Sequence, residues 1–202
     1  MKIIRVEPTE KFIALSWMIG ARCNYDCMYC PAELHDNTSA HPDLEQLKQI
    51  WLNFYEKTRS QNLPYKIGLS GGEVTANRSF LPLVEFIKNG DFPVSELSIL
   101  TNGSASERYY KKLALLVNII AFSTHSEFFN EQEFFHKVKI INDIMIRPTK
   151  SVHVNIMDEF WNQDRISLYK KYLDQHNISY SVNKLFYARQ IRDYPIKQGV
   201  LN

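Results

Sequence analysis

The chain has 202 residues, of which 45% are hydrophobic and 23% are charged, and its formal net charge is +2. These values are typical of a folded soluble domain and exclude the composition of a disordered chain. The balanced charge gives no electrostatic footprint for nucleic acid, and no apolar stretch approaches the roughly 20 residues that cross a bilayer. We therefore expect a single cytoplasmic domain over 1–202, without a secretory segment or a membrane role.

The first predicted element is a strand over 14–20, and the only cysteines, Cys23, Cys27 and Cys30, follow it on one loop. A structural zinc site or an all-protein iron–sulfur cluster takes four ligands. Three thiolates instead fill three corners of a cubane cluster and leave one iron open for chemistry. A zinc site completed by His35 stays open as an alternative. A redox dithiol leaves one cysteine unused, and an odd cysteine count disfavours a disulfide framework.

The rest of the chain alternates between helical and strand-like patterns. Helices are predicted at about 43–55, 79–88, 106–117, 130–145 and 163–176. Strands are predicted at 66–70, 97–101, 118–124, 151–157 and 179–186. Asp43 is expected to begin the first helix, Gly90 to stop the second, and Asn130 with Glu133 to form a capping box for the fourth.

Strict alternation of strands and helices predicts a parallel sheet, because parallel strands are joined by crossover helices that are right-handed. A complete eight-fold barrel needs about 250 residues. We therefore expect an α/β fold, a partial (β/α)6 TIM-like barrel with parallel strands and outer helices. The core covers about 14–186, a polar tail follows at 187–202, and the functional site lies at the carboxyl ends of the strands.

Hydrogen-bonding residues follow or end each predicted strand. After the cysteine loop they are Ser70, Gly71, Gly72 and Glu73, then Thr101, Asn102 and Gly103, then Ser123, Thr124 and His125, and finally Asn155, Asn183 and Lys184. Glycine lets the backbone approach a ligand closely, and a glutamate accepts from an ammonium group. Gly-Gly-Glu alone more often marks a tight strand-to-helix turn. Its position one β-α unit after the cysteines favours a ligand site.

These motifs resemble the radical S-adenosylmethionine (SAM) superfamily over about 14–186. The resemblance rests on Cys-x3-Cys-x2-Cys with Tyr29 before the last cysteine, Gly-Gly-Glu after the second strand, and Thr-Asn-Gly after the third. It implies that Cys23, Cys27 and Cys30 hold an oxygen-sensitive [4Fe-4S] cluster. The open iron of that cluster would be chelated by the amino and carboxylate groups of SAM.

The same resemblance implies the residues that bind SAM. Gly71, Gly72 and Glu73 would contact the methionine amino group, and the backbone at Tyr29 would help to read the adenine. Three further residues are expected near the methionine carboxylate or the ribose: Ser123, Asn155 and, close by, Asn102. A strand-end cap or a turn hydrogen bond is the alternative role for each of these three.

The resemblance also implies the chemistry and the partners. Reduction of the cluster would cleave SAM to methionine and a 5′-deoxyadenosyl radical, which takes a hydrogen atom from a small-molecule or peptide substrate. The potential must lie toward the low end of the roughly −700 to +450 mV span of iron–sulfur centres, so an external donor such as flavodoxin or ferredoxin is expected. The short tail suggests that a homodimer or a partner protein closes the barrel.

Two other functions remain candidates. Activases of glycyl-radical enzymes share the cysteine spacing, although their fourth strand typically ends in an Asp-Leu-Lys-like segment and this chain has Ala-Phe-Ser-Thr-His at 121–125. A zinc-stabilised Cys3His binding module is the other. Because no cysteine follows Cys30, the chain holds at most one cluster, which argues against peptide-modifying members with a cysteine-rich C-terminal extension.

His125 is the candidate catalytic residue, because histidine titrates near working pH and this one follows a strand. A structural bond to a neighbouring carboxylate is its alternative role. The segment 33–36, which contains His35, should also face the barrel mouth. His153 alternates with apolar neighbours and is expected in the core or facing a helix. Arg189 and Arg192 follow the last strand, with a solvated surface as their default position.

Overall fold

The fold is an α/β partial barrel with six parallel strands, as predicted. A computed structural model describes residues 11–31 and 36–185. The strands follow one another in the order β1 to β6: Ile13–Met18, Tyr65–Ser70, Val94–Thr101, Ile119–Ser123, Ser151–Asp158 and Ser179–Lys184. The helices α1 to α5 are Leu44–Thr58, Phe80–Asn89, Glu107–Leu116, Glu131–Met145 and Gln163–Gln175. None of these helices is both long enough and apolar enough to cross a membrane.

The sequential strand order places the helices on one face of the sheet, because every crossover has the same hand. Alternate residues of the central strands are buried against these helices, as Val152, Val154 and Ile156 are in β5. The residues between them form the inner face of the partial barrel. That face is partly exposed and carries small or polar side chains, among them Gly68, Ser98, Ala121, Asn155 and Ser181.

Aromatic side chains anchor the helices to the sheet. Trp51 of α1 is fully buried, and its ring centroid lies 5.6 Å from that of Tyr65 in β2 and 5.3 Å from that of Phe92. Each buried aromatic side chain removes about 150–250 Å² from water, which makes such contacts a main source of stability. The buried aromatic residues of the helices are therefore core residues.

The predicted helix starts are confirmed by their capping geometry. Asp43 Oδ1 accepts from Gln46 N–H at 2.8 Å and Gln46 Oε1 accepts from Asp43 N–H at 3.0 Å, so α1 begins with a complete capping box. At α4, Asn130 Oδ1 accepts from Glu133 N–H at 3.1 Å, which is half of the box expected there. Each cap satisfies backbone N–H groups that have no partner inside the helix.

Three details differ from the sequence-based expectation. β3 begins at Val94 rather than at residue 97, because the polar pair Ser95-Glu96 hides the strand pattern. β6 ends at Lys184 among the described residues, and position 186 lies outside them. His153 is not core or helix-facing: it lies on the inner face, where its ring nitrogens contact the hydroxyls of Ser179 and Ser181 at 3.0 and 3.2 Å.

Candidate active site

The cysteine loop follows β1 at the carboxyl edge of the sheet. Cys23 N–H donates to the Asp36 carbonyl at 2.7 Å, and Asp36 N–H donates to the Ala21 carbonyl at 3.1 Å, so the loop is closed on itself. Cys27 is buried, whereas Cys23 and Cys30 are partly exposed, and none forms a disulfide. Burial raises the pKa of all three thiols, that of Cys27 to about 12.

This donor set fits a cluster better than a single ion. Over 11–31 and 36–185, no three His, Cys, Asp or Glu side chains are grouped to hold one metal ion. The cysteines of a cubane cluster bind separate irons, so their sulfurs need not meet at one point. Burial alone favours neutral thiols, but a bound metal cation deprotonates a coordinating thiol outright. His35, the ligand of the zinc alternative, lies outside the described residues.

The glycine pair after β2 packs against the backbone that leads into the cysteine loop. Gly72 N–H donates to the Gly20 carbonyl at 2.9 Å, and Glu73 N–H donates to the Arg22 carbonyl at 3.0 Å. A Cβ on Gly72 would lie 2.3 Å from the Ala21 carbonyl oxygen. Gly71 has a φ of +152° and is equally close to Gly20. The glycine pair was predicted to let the backbone approach a ligand closely. In the structure, the backbone at this pair lies close to another segment of the same chain, residues 20–22.

Glu73 joins the end of β2 to the end of β3. Its side chain is buried, and Oε1 accepts from the hydroxyls of Thr75 and Thr101 at 2.6 and 2.7 Å, while Oε2 accepts from Asn102 N–H at 2.6 Å. Burial raises the pKa of Glu73, and these hydrogen bonds oppose the rise. Glu73 therefore lies buried below the carboxyl edge of the sheet, where its side chain holds the backbone of Asn102 by a hydrogen bond.

Asn102 reaches the cysteine loop directly. Its Nδ2 donates to Asn24 Oδ1 at 2.9 Å and lies 3.9 Å from Cys23 Sγ. On the next strands, Ser123 and Asn155 are paired in register across β4 and β5 at the same edge of the sheet. Ser181 Oγ donates to Asn155 Oδ1 at 3.1 Å. These three predicted SAM contacts thus surround the mouth, and their roles toward a ligand stay predictions.

His125, the candidate catalytic residue, lies against the cysteine loop. Its Nδ1 is 2.5 Å from the Tyr29 hydroxyl oxygen and 3.5 Å from Cys27 Sγ. The Tyr29 and His125 rings stack with their centroids 6.0 Å apart, and the Tyr25 ring meets His125 edge-on. Burial lowers the pKa of His125 to about 4, so the imidazole is neutral at physiological pH.

Two residues that the sequence reasoning did not single out, Glu159 and Trp161, complete this part of the site. Glu159, directly after β5, is fully buried and accepts from Ser126 N–H at 3.1 and 3.3 Å. Trp161 Nε1–H donates to Ser126 Oγ at 2.9 Å, and its ring stacks 6.5 Å from Tyr29. The sequence did offer a signal for Glu159, because it is a polar residue that directly follows a strand.

The predicted residues Glu33, His35, Arg189 and Arg192 lie outside the described part of the chain. Asp36, at the end of the segment expected near the mouth, is described, and its backbone closes the cysteine loop. Asp36 of this segment is therefore bonded to the backbone of the loop that carries the cysteines.

Glu159 should make stability depend on pH. Burial raises its pKa to about 7 and nearby Glu127 adds to the rise, whereas hydrogen bonds from Ser126 and Tyr29 lower it. An unfolded glutamate has a pKa of about 4.3. Between these values the folded chain keeps a proton that the unfolded chain has released, so the free energy of unfolding falls as pH rises from about 4.5 to about 7. In Glu159→Gln, we expect the free energy of unfolding to decrease by about 2–3 kcal/mol less over this pH range than in the wild-type chain.

Urea unfolding at about pH 5 and about pH 8 measures this effect. Asp158→Asn is the matched control, because Asp158 is the adjacent carboxylate and bonds the Gln163 side chain. Parallel pH profiles for the wild-type chain and Glu159→Gln would contradict the prediction.

Comparisons with known proteins agree with the fold. No protein-family model matches the chain. A protein named Probable GTP 3′,8-cyclase, from Methanocaldococcus jannaschii, is 28% identical over 156 residues, which cover 69% of this chain and 50% of that protein. An S-adenosylmethionine-dependent nucleotide dehydratase of Selenomonas ruminantium is 35% identical over 86 residues, covering 43% of this chain and 28% of the dehydratase.

A solved structure shows the same fold. The crystal structure of Streptococcus suis SuiB bound to the precursor peptide SuiA matches 87% of this chain and 40% of SuiB, with a TM-score of 0.64 and 15% identity. The matched chain thus spans half or less of each of these three proteins.

The parallel partial barrel, together with these relatives, makes the chain an α/β enzyme. The sequence relatives are enzymes of the radical SAM superfamily, and the chain is similar to them in sequence.

Proposed function

We propose that Cys23, Cys27 and Cys30 hold a [4Fe-4S] cluster, that SAM binds at its open iron, and that the chain takes a hydrogen atom from a small-molecule or peptide substrate. The convergence of strand ends on the cysteine loop carries this proposal. The residues after β2, β3 and β4 each contact that loop directly. Such convergence at the carboxyl ends of parallel strands is where barrel folds place their chemistry.

The cluster and SAM, when bound, would supply the 5′-deoxyadenosyl radical after reduction. The role of the residues described here is to bind and orient SAM. Gly71 and Gly72 keep the β2 loop close enough for its backbone to contact the methionine amino group. Glu73 adds a negative charge beneath that position, which favours an ammonium group. The Tyr29 backbone is assigned to the adenine.

The other end of the SAM site is assigned to residues on β3, β4 and β5. Asn102, Ser123 and Asn155 offer amide and hydroxyl groups to the methionine carboxylate or the ribose. Their placement around one mouth supports this assignment.

The substrate class is suggested by the relatives. The names of the cyclase and the dehydratase specify nucleotides, so nucleotides are the first small molecules to test. A peptide is the second class, because SuiB was crystallised with a precursor peptide. An external flavodoxin or ferredoxin as electron donor, and a homodimer or partner protein that closes the mouth, complete the proposal.

The decisive experiment is anaerobic reconstitution of the chain with iron and sulfide. We expect about four irons and four sulfides per chain, and production of 5′-deoxyadenosine from SAM under strong reductant. Deuterium transfer from a labelled nucleotide or peptide into 5′-deoxyadenosine then identifies the substrate. One zinc per chain, no sulfide and no 5′-deoxyadenosine would overturn the proposal in favour of a zinc-binding module.

A further inference from the structure

Strands β5 and β6 carry a polar patch on the inner face of the partial barrel. The inner polar patch consists of five side chains that are all at least partly exposed: His153, Asn155, Ser179, Ser181 and Asn183. Within the described strands β4 to β6, no lysine, arginine, aspartate or glutamate lies on this face. Burial lowers the pKa of His153, so its imidazole is uncharged as well. The patch therefore suits an uncharged ligand group, because a phosphate or carboxylate needs a cationic partner to leave water.

Ser181 lies at the centre of the inner polar patch. Its hydroxyl oxygen is 3.1 Å from Asn155 Oδ1 and 3.2 Å from Asn183 Oδ1. The same oxygen is 3.2 Å from Nε2 of His153, whose Nδ1 is 3.0 Å from Ser179 Oγ. Both ring nitrogens of His153 are therefore used inside the patch, so His153 positions the two serines and leaves ligand contacts to the other side chains.

Each amide group of the patch keeps one polar atom for a ligand. Asn155 and Asn183 contact Ser181 through one amide atom, and the second amide atom of each has no hydrogen-bond partner within residues 11–31 and 36–185. If an amide is turned the other way, its oxygen instead of its nitrogen is left over. A hydroxyl group both donates and accepts, so it pairs with either atom. The patch therefore fits a ligand that carries hydroxyl groups.

An apolar surface adjoins the patch on the same inner face. One row of side chains is paired in register across β3 to β6: Leu100, Ala121, His153 and Ser179. Leu100 is 43% exposed although it is a large apolar side chain within a strand. The neighbouring Ala121 adds only a methyl group, which leaves space above the row. A sugar ring combines what this face requires, because its C–H groups can cover Leu100 while its hydroxyls bond the patch.

We propose that Asn183 and Ser181 bind the ribose hydroxyls of a nucleotide substrate, and that His153 is the residue that positions Ser181. This inference rests on the proposed function, which puts nucleotides first among the substrates and assigns Asn155 to SAM. Because Ser181 contacts both Asn155 and Asn183, it joins the SAM site to the substrate site. The phosphates of the nucleotide lie away from this uncharged patch.

Binding of the nucleoside guanosine measures this subsite without turnover. Equilibrium dialysis is run with the anaerobically reconstituted chain and saturating SAM but no reductant, so guanosine cannot take the place of SAM and no SAM is cleaved. We expect Asn183→Ala and Ser181→Ala each to raise the Kd of guanosine about 3- to 10-fold, the effect of losing one hydrogen bond. Ser151→Ala is the matched control, because it removes a hydroxyl from the same face of β5 at the far end of the strand, and it should leave the Kd unchanged.

A second arm changes the ligand instead of the protein. Because 2′,3′-dideoxyguanosine lacks the ribose hydroxyls, we expect it to bind the wild-type chain more weakly than guanosine does, and Asn183→Ala should then cause no further loss of affinity. A patch that only holds β6 in the sheet predicts instead that Asn183→Ala weakens both nucleosides by the same factor.

Three results would overturn the proposal: no binding of guanosine to the wild-type chain, an unchanged Kd in Asn183→Ala, or equal binding of the two nucleosides. If Ser181→Ala does not fold, Asn183→Ala decides, because Asn183 is exposed on the edge strand β6. The proposed function fails separately. A chain that binds guanosine through Asn183 but never cleaves SAM contradicts the radical chemistry and leaves the ribose subsite standing.

Discussion

Replacing Cys27 by alanine is expected to abolish both the iron–sulfur cluster and the cleavage of SAM. The chain has three cysteines and no fourth that could take over. Loss of a hydrogen-bond partner behind a metal ligand already costs about 10- to 100-fold in metal affinity or activity, so loss of a ligand should cost more than about 100-fold. Iron and sulfide content after anaerobic reconstitution, and 5′-deoxyadenosine produced under reductant, measure the two losses.

The control for this variant is His35→Ala. A cluster held by three cysteines does not need His35, so this variant should keep its iron and its activity. A zinc site of the Cys3His type would lose its metal in both variants. Full iron content in Cys27→Ala, or metal loss in His35→Ala, would therefore contradict the assignment of the ligands.

Adding a single methyl group at Gly72 is expected to disturb the cysteine loop more than most core changes would. The new Cβ would lie 2.3 Å from the Ala21 carbonyl oxygen and 2.4 Å from that of Arg22. Both are backbone atoms held by hydrogen bonds: the Ala21 carbonyl accepts from Asp36 N–H and the Arg22 carbonyl accepts from Glu73 N–H, so they cannot move aside cheaply. Overpacking of this kind costs about 1–3 kcal/mol, and here the displacement falls on the segment that leads into Cys23.

We expect Gly72→Ala to lower the free energy of urea unfolding by about 1–3 kcal/mol and to reduce iron incorporation severalfold. Gly68→Ala, within β2 itself, is the matched control, because its Cβ would meet only Ser98 Oγ at 3.5 Å and the Leu15 carbonyl at 3.9 Å. Wild-type stability together with full iron content in Gly72→Ala would show that the β2 loop does not set the position of the cysteine loop.

The order of elements was predictable because the signals that define them are local. In β5, residues 152, 154 and 156 are buried and alternate with more exposed residues, which is the pattern of a strand. Asp43 marks the start of α1. Neither signal depends on distant parts of the chain. The start of β3 was missed because Ser95 and Glu96 interrupt the apolar pattern. The face of His153 was assigned wrongly because an inward-facing residue of a partial barrel alternates with core residues just as a helix-facing one does.

The site was only partly predictable. Polar residues after strand ends indicated Glu73, Asn102 and His125, because the carboxyl ends of parallel strands share one edge of the sheet. That reasoning could not tell that Glu73 is buried and holds Asn102 from beneath, or that the glycine pair packs on the chain's own backbone. Those facts depend on side-chain directions in loops, which no periodicity encodes.

The amino-acid sequence by itself determined the six-unit alternation, the three cysteines on one loop and the family that these motifs resemble. Only the tertiary structure decided that Glu159, Tyr29 and His125 meet at that loop. The physical reason is distance along the chain: Tyr29 and His125 are 96 residues apart, and Glu159 lies beyond both, directly after β5. Local patterns fix which face of an element is buried, whereas contacts between loops form only when the packed sheet brings its strand ends together.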